Sequence, residues 1–179
     1  MAKNRRVIVH GVPYFVTCQL QLWCGPRTLG RVADLVLAAL SETREVCRMT
    51  VHGYVVMPDH WHCLVTTCAP YDISQAMHRI KSRSGTAIRK MLGSTGPVWQ
   101  RRFHDRVCRD LAEFRAMLEY IHQNPVVASL VDSPDMWRWS SWHAYGGSGE
   151  AVVTVDRVTE RFDVRKSEWR YHMPPQRIT

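Results

Sequence analysis

The sequence predicts an α+β fold, in which a ferredoxin-like split βαβ antiparallel sheet carries its helices on one face and is followed by a C-terminal tail. Three observations predict it. Segments with strand and helix patterns follow one another in the order strand, helix, strand, strand, helix, strand. The two middle strands are separated only by a Pro58-Asp59 turn, which favours an antiparallel pair. The length of 179 residues fits one domain that can bury its own core.

The first half of the chain accounts for three strands and one helix. Residues 14–23, YFVTCQLQLW, are rich in β-branched and aromatic residues and stop before Gly25-Pro26, which is typical of a strand. Apolar residues then recur at helical spacing in GRVADLVLAALSETREV, which predicts an amphipathic helix. The segments MTVHGYVVMP and HWHCLVTT predict the second and third strands on either side of the turn.

The second half adds two helices and one strand. Residues 72–92 predict a helix that begins at the capping residue Asp72. The segment VWQRRFHDRVC alternates enough to predict a fourth strand. A third helix is predicted over roughly residues 110–124, ending before Pro125, because the residue preceding a proline is disfavoured in helical geometry.

Composition and charge indicate a soluble protein that binds a polyanion. Twenty-four Lys and Arg against sixteen Asp and Glu give a net charge of +8 and make nucleic acid the first partner to consider. No apolar run is long enough for a membrane span, and six cysteines lack a paired CxxC framework, so we expect a cytoplasmic protein without a membrane partner. One domain is expected over residues 1–147, with a partly ordered tail over 148–179.

Two histidines interrupt the hydrophobic third strand, in YVVMPDHWHCLV. Because side chains on a strand have a period of two, His60 and His62 project from the same face and can approach one object together. Two imidazoles bind a divalent metal ion incompletely, so further ligands must come from elsewhere. A pair of histidines satisfied by backbone groups is one alternative, and a zinc site that adds Cys63 and Cys68 is another.

The third predicted helix carries polar groups beside its apolar stripe. The stripe consists of Phe114, Met117, Leu118 and Ile121. Tyr120 lies at the edge of this stripe, and Asn124, one turn later, projects from nearly the same side. Helical periodicity does not place either residue beside the histidines. A half-buried tyrosine followed by an asparagine that ends a helix is the alternative.

Five segments, taken in order, resemble the single-tyrosine HUH transposases, and most closely their REP-associated branch, which acts on single-stranded DNA. These segments are VVMPDHWHCLV, IKSRSGTAIRK, VWQRRFHDRV, YIHQNPVVASLV and WRWSSWHAY. The resemblance covers roughly residues 5–147. It implies the same split βαβ sheet, with both histidines on a central strand that faces the tyrosine helix.

The resemblance also implies a role for each candidate residue. His60 and His62 would bind Mg²⁺ or Mn²⁺, and Tyr120 would be the nucleophile that forms a 5′-phosphotyrosine link. Asn124 would be a third metal ligand or a neighbour of the ligands. Gln123 is the alternative, because insertion-sequence relatives have glutamine at the comparable place. The activity implied is DNA cleavage and rejoining by transesterification.

The implied substrate is single-stranded or hairpin DNA, bound by a monomer or a homodimer. Basic residues suited to contact its phosphates are Arg5, Arg6, Lys81, Arg83, Arg89, Lys90, Arg101, Arg102 and Arg106. Trp99 and the tryptophans of the tail would either stack on unpaired bases or pack back on the sheet. A protein that binds hairpins on the same fold without cutting them is the alternative function.

Overall fold

The structure is a computed structural model that describes residues 8–21, 24–146 and 151–158. Its elements are β1 (Pro13–Gln19), α1 (Pro26–Cys47), β2 (Thr50–Val56), β3 (His60–Thr66), α2 (Ile73–Leu92), β4 (His104–Val107), α3 (Leu111–Val127), a short 3-10 helix (Pro134–Met136) and α4 (Trp142–Gly146). The strands form one sheet in the order β2-β3-β1-β4, and every neighbouring pair is antiparallel. The predicted split βαβ fold is therefore confirmed.

The two faces of the sheet are covered by different helices. In the β1–β3 register Cys18 lies opposite Trp61, and both side chains are fully buried. This is the face under α1 and α2, which pack against each other as the split βαβ unit requires. The next register pair, Thr17 and His62, points to the opposite face, where α3 contacts β2 and β3. The sheet thus separates the main hydrophobic core from the histidine pair.

Local capping residues set the starts of α2 and α3. Asp72 caps α2 through a reciprocal pair of hydrogen bonds: its carboxylate accepts from Gln75 N at 2.8 Å, while Asp72 N donates to Gln75 Oε1 at 2.9 Å. Asp110 caps α3 in the same way by accepting from Glu113 N at 2.9 Å. The prediction that α2 begins at Asp72 is confirmed.

The predicted end of α3 is wrong, because the helix continues through Pro125 to Val127. A proline has no N–H to donate and its ring crowds the carbonyl four residues earlier, so one proline near a helix end weakens the helix locally. The turn is still closed, since Ala128 N donates to Asn124 O at 3.0 Å and Leu130 N donates to Pro125 O at 2.9 Å. The asparagine is therefore inside the helix and does not end it.

The first and fourth strands are both shorter than the predicted segments. β1 stops at Gln19, and Leu20 forms only an isolated bridge with Trp99. The chain from Arg101 to Phe103 then leaves the sheet before β4 begins at His104. An alternating pattern cannot distinguish a continuous strand from a strand interrupted in this way.

The chain after α3 returns to the outer side of β2. Trp139 O accepts from Val56 N at 3.0 Å, and Ser141 N donates to Tyr54 O at 2.9 Å. Farther along β2, Asp156 N donates to Val51 O at 2.7 Å, while the Asp156 carboxylate accepts from Val51 N at 2.9 Å. Trp139, Ser141 and Asp156 therefore bind this strand near both of its ends.

Of the two uses considered for the tryptophans, the structure shows packing. Trp137 is 6% exposed, and its Nε1 donates to Val56 O at 3.0 Å. Trp139 lies against Gly30 of α1 and donates from Nε1 to Asp34 Oδ1 at 3.1 Å. Trp99 is also buried, and its Nε1 donates to Ser84 Oγ at 3.1 Å. Trp99 and Trp137 are therefore held in the packed interior, and Trp139 is held against α1.

No helix within the described ranges has the length and apolarity that crossing a bilayer requires.

Candidate active site

Three aromatic rings from β3 and α3 meet on the α3 face of the sheet. The ring centroids of His60 and His62 lie 4.7 Å apart, and those of His62 and Tyr120 lie 5.3 Å apart. Phe15 of β1 contacts the same group, with its centroid 5.2 Å from His62 and 5.8 Å from Tyr120. The structure therefore brings together the histidine pair and the tyrosine that helical periodicity alone left apart.

His62 is oriented by a neighbour on β1. Its Nδ1 lies 2.8 Å from Thr17 Oγ1, and its Nε2 is buried without a hydrogen-bond partner among the described residues. Burial, assisted by His60, lowers the pKa of His62 to about 3 and keeps the imidazole neutral. When Nδ1 donates to Thr17, the lone pair of Nε2 is free, which is the arrangement of a metal-binding histidine.

His60 is oriented by the turn that precedes it. Its Nδ1 donates to Asp59 Oδ1 at 2.6 Å, which leaves Nε2 as the nitrogen for another partner. A carboxylate on the far nitrogen is a common support for a histidine that binds a metal. Asp59, Thr17 and Phe15 are site residues that the sequence reading missed. Only Asp59 had a visible signal, because it is adjacent to His60 in the chain.

Tyr120 is accessible to a substrate. Its side chain lies at the surface of α3, and the residue is 52% exposed although its ring contacts His62 and Phe15. A tyrosine that only packs against the sheet would lose most of its exposure. This tyrosine keeps one part of its ring in contact with the histidine and the other exposed to solvent.

Two amide side chains follow Tyr120 on α3, and they have different surroundings. Asn124 is buried at 9% exposure. Gln123 donates from Nε2 to Glu119 Oε1 at 2.9 Å on the exposed surface of the helix. No group of three or more His, Cys, Asp or Glu residues within the described residues could hold a metal. A third protein ligand could be an amide oxygen, and because the hydrogen bond of Gln123 uses Nε2, both Asn124 and Gln123 stay candidates.

The zinc site with cysteine ligands is not supported by the structure. Cys63 follows His62 on the strand, so it points to the opposite face, where it is fully buried. Its thiol pKa is raised well above its ordinary value by burial, which disfavours the thiolate that zinc requires. Cys68 lies exposed after the end of β3.

Five of the candidate phosphate-binding residues line two grooves, three in one and two in the other. The first, here called the α2 groove, has a volume of about 490 Å³ between α2 and the chain before β4, and its basic residues are Lys81, Arg89 and Arg101. Lys81 Nζ is fixed there, since it donates to Gln100 O at 2.6 Å and to Arg101 O at 3.2 Å.

The second groove lies between α1 and α2, and it holds Arg83 and Lys90. Arg83 is paired with Glu42 of α1, to which its Nε donates at 2.9 Å. Arg106 of β4 is paired with Glu113 of α3. Arg102 is exposed, whereas Arg5 and Arg6 lie outside the described residues.

Comparisons with known proteins agree with this fold and arrangement. The family model described as "Transposase IS200 like" matches residues 28–124, which is more than half of the chain. The REP-associated tyrosine transposase of Escherichia coli (strain K12) is 25% identical over 144 residues, which cover 80% of this chain and 84% of that protein. A relative from Haemophilus influenzae is 27% identical over 157 residues, covering 80% of this chain and 86% of its own.

The structure of a REP-associated tyrosine transposase bound to a REP hairpin shares the fold. It superposes with a TM-score of 0.68 at 24% identity and covers 89% of this chain and 94% of that one. The resemblance drawn from the five sequence segments is thereby confirmed. The chain belongs to the family of IS200-like transposases.

Proposed function

We propose that this transposase cleaves and rejoins single-stranded DNA at palindromic hairpin repeats, through a 5′-phosphotyrosine intermediate and with a divalent metal ion. The observation that carries the proposal is the contact between the half-exposed ring of Tyr120 and His62, whose buried Nε2 has no partner among the described residues. The proposed nucleophile is thus in contact with the histidine that would bind the metal.

The residues present fit a divalent ion such as Mg²⁺ or Mn²⁺. His60 and His62 would hold it through their Nε2 atoms, because their Nδ1 atoms are already engaged by Asp59 and Thr17. The amide oxygen of Asn124 would be a further ligand. When bound, the ion supplies positive charge that polarises the scissile phosphate. The buried, neutral imidazole of His62 is prepared for this role, since no proton has to leave its Nε2.

Tyr120 performs the covalent step. The bond between its phenolic oxygen and phosphorus forms while the bond from phosphorus to the 3′ oxygen breaks. The phenol loses its proton, and the departing 3′ oxygen gains one. One phosphodiester is exchanged for another, so the 3′-hydroxyl of the same or another strand can attack the phosphotyrosine and restore a DNA linkage. Hydrolysis would lose this capacity.

The α2 groove is the proposed track for the phosphates of the bound hairpin. Arg89 and Arg101 line it without an acidic partner in the hydrogen bonds and ion pairs of the described residues. Arg83, by contrast, forms an ion pair with Glu42 in the other groove. Arg5, Arg6 and Arg102 stay predicted DNA contacts, and the structure adds nothing for or against them.

Replacing Arg89 and Arg101 together by Ala is expected to flatten the salt dependence of hairpin binding. Each phosphate contact contributes a slope of about −0.7 to −0.9 in a plot of log K against log salt, so the double variant should lose roughly one to two units. Binding is measured by fluorescence anisotropy across a salt series. Preference among hairpins should change little, because phosphate contacts position the DNA without specifying its sequence.

The matched control removes two charges from the other groove, in the variant Arg83→Ala with Lys90→Ala. Its slope should equal that of the wild type. A wild-type slope for the Arg89 and Arg101 variant, with a flattened slope for the control, would move the phosphate track to the groove between α1 and α2. Lys81 is left intact, because it fixes the chain at Gln100 and Arg101.

The experiment that tests the proposed activity is incubation with end-labelled single-stranded palindromic repeats from the host genome. We expect a protein–DNA adduct that survives denaturing electrophoresis with Mg²⁺ or Mn²⁺ and disappears with a chelator. Tight hairpin binding without an adduct in either metal would favour the alternative, a hairpin-binding protein that does not cut. An adduct of equal yield with the chelator would contradict the role of the metal.

A further inference from the structure

Helix α3 approaches β2 unusually closely at Gly53. A Cβ atom at this position would lie 2.5 Å from Leu118 Cδ1 and 3.7 Å from Ile121 Cδ1, both on α3. Separations under 3 Å are not tolerated between carbon atoms, so any side chain here would displace Leu118 or the helix. A side chain at Gly53 would therefore require the Leu118 side chain of α3 to move from its place against β2.

Beside this contact, Ser141 links the helix to the same strand. Its Oγ accepts from Tyr54 N at 2.9 Å and lies 2.9 Å from His122 Nε2, and the whole group is buried. The Ser141 hydroxyl therefore links the backbone of β2 to the His122 ring of α3.

These contacts lie next to the candidate active site along both elements. His122 is two residues after Tyr120 on α3. On β2, Gly53 and Tyr54 precede Val55, which is the register partner of His62. From this juxtaposition we infer that Gly53, His122 and Ser141, together called the α3 clamp, position Tyr120 against His62. The effect on cleavage rests on the proposed function, whereas the effect on ring geometry does not.

The clamp is expected to change reaction rate with little effect on DNA affinity. A misplacement of about 1 Å at a reacting group can reduce a rate by about 100-fold. The proposed phosphate track is lined by α2 and the chain before β4, and none of the clamp residues line it. A clamp variant should therefore bind the hairpin like the wild type and still form the phosphotyrosine adduct more slowly.

The test uses Ser141→Ala and Gly53→Ala, each measured for hairpin affinity and for the rate of adduct formation at saturating DNA. We expect each rate to fall by about 10-fold to 100-fold, with affinity within about 2-fold of the wild type. Ser84→Ala is the matched control. It also removes a buried serine hydroxyl that makes two hydrogen bonds, but this serine lies on α2. Its adduct rate should stay at the wild-type value.

A rescue experiment separates positioning from general destabilisation. Shortening Leu118 to Ala removes the atom that a methyl group at Gly53 would meet. The variant Gly53→Ala with Leu118→Ala should therefore recover most of the rate that Gly53→Ala loses. Leu118→Ala alone shows the cost of the truncation. If the double variant is slower than the product of the two single effects, the positioning role of Gly53 is contradicted.

A spectroscopic measurement tests the position of Tyr120 without any cleavage. If the wild type forms no adduct, the proposed function is contradicted, and this measurement still decides the role of the α3 clamp. The protein is labelled with 3-fluorotyrosine, and the Tyr120 fluorine resonance is identified by its loss in Tyr120→Phe. Ring currents from Phe15 and His62 act on this resonance, since both rings lie within 6 Å of Tyr120. It should move in Ser141→Ala and Gly53→Ala but not in Ser84→Ala. An unmoved resonance in both clamp variants overturns the inference.

Discussion

Tyr120→Phe is expected to form no detectable covalent adduct with hairpin DNA, while its affinity for the same DNA stays within about 2-fold of the wild type. The substitution removes only the hydroxyl, so the ring keeps its contacts with His62 and Phe15. Loss of a covalent nucleophile commonly lowers a rate by several orders of magnitude, and we expect a loss of at least about 1,000-fold here. Labelled DNA on a denaturing gel measures it.

Tyr71→Phe is the matched control for this substitution, because it removes the same hydroxyl from a loop before α2, away from the histidine pair. Its adduct yield should equal that of the wild type. A wild-type adduct from the Tyr120 variant would show that another residue attacks the phosphate. Peptide mapping of the labelled DNA would then locate that residue.

The second large effect is expected from His60→Ala and from His62→Ala. Each substitution should reduce the rate of cleavage by about 100-fold or more. One imidazole and an amide oxygen bind a divalent ion poorly, so the remaining histidine cannot replace the pair. Calorimetric titration with Mn²⁺ provides a readout besides activity, and both variants should bind the ion more weakly than the wild type.

The control for the histidines is His10→Ala, which changes an exposed histidine before β1. It should leave both metal affinity and cleavage unchanged. Wild-type nicking by His60→Ala and by His62→Ala in millimolar Mg²⁺ would make the pair structural. The buried Nε2 of His62 would then need another explanation.

Local patterns were sufficient for the common face of the histidines and for the start of α2, whereas α1 begins at Pro26, before the predicted segment. The strand period of two places His60 and His62 on one face without knowledge of the rest of the fold, and Asp72 marks the start of α2 by its own chemistry. The role of Thr17 was not accessible in this way. It depends on the β1–β3 register, and register is set by pairing between segments far apart in the chain.

The basic residues of α2 show the same limit for a helix. Arg83 and Arg89 both read as exposed cations on one amphipathic segment, and their charge gives no indication of where each side chain points. Packing of α1 against α2 places Glu42 beside Arg83 and leaves Arg89 in the other groove. The partner of a surface charge is a tertiary property, so helix periodicity could not separate the two arginines.

The attachment of Trp139, Ser141 and Asp156 to β2 restricts how two copies of this chain can associate. A strand at the margin of a sheet offers unpaired N–H and C=O groups on which a second chain can build. On β2 the backbone groups of Val51, Tyr54 and Val56 already have partners from the tail. At the other margin, β4 is only four residues long and pairs with β1 alone among the described strands. A second copy that extended the sheet at β2 would therefore have to displace these partners.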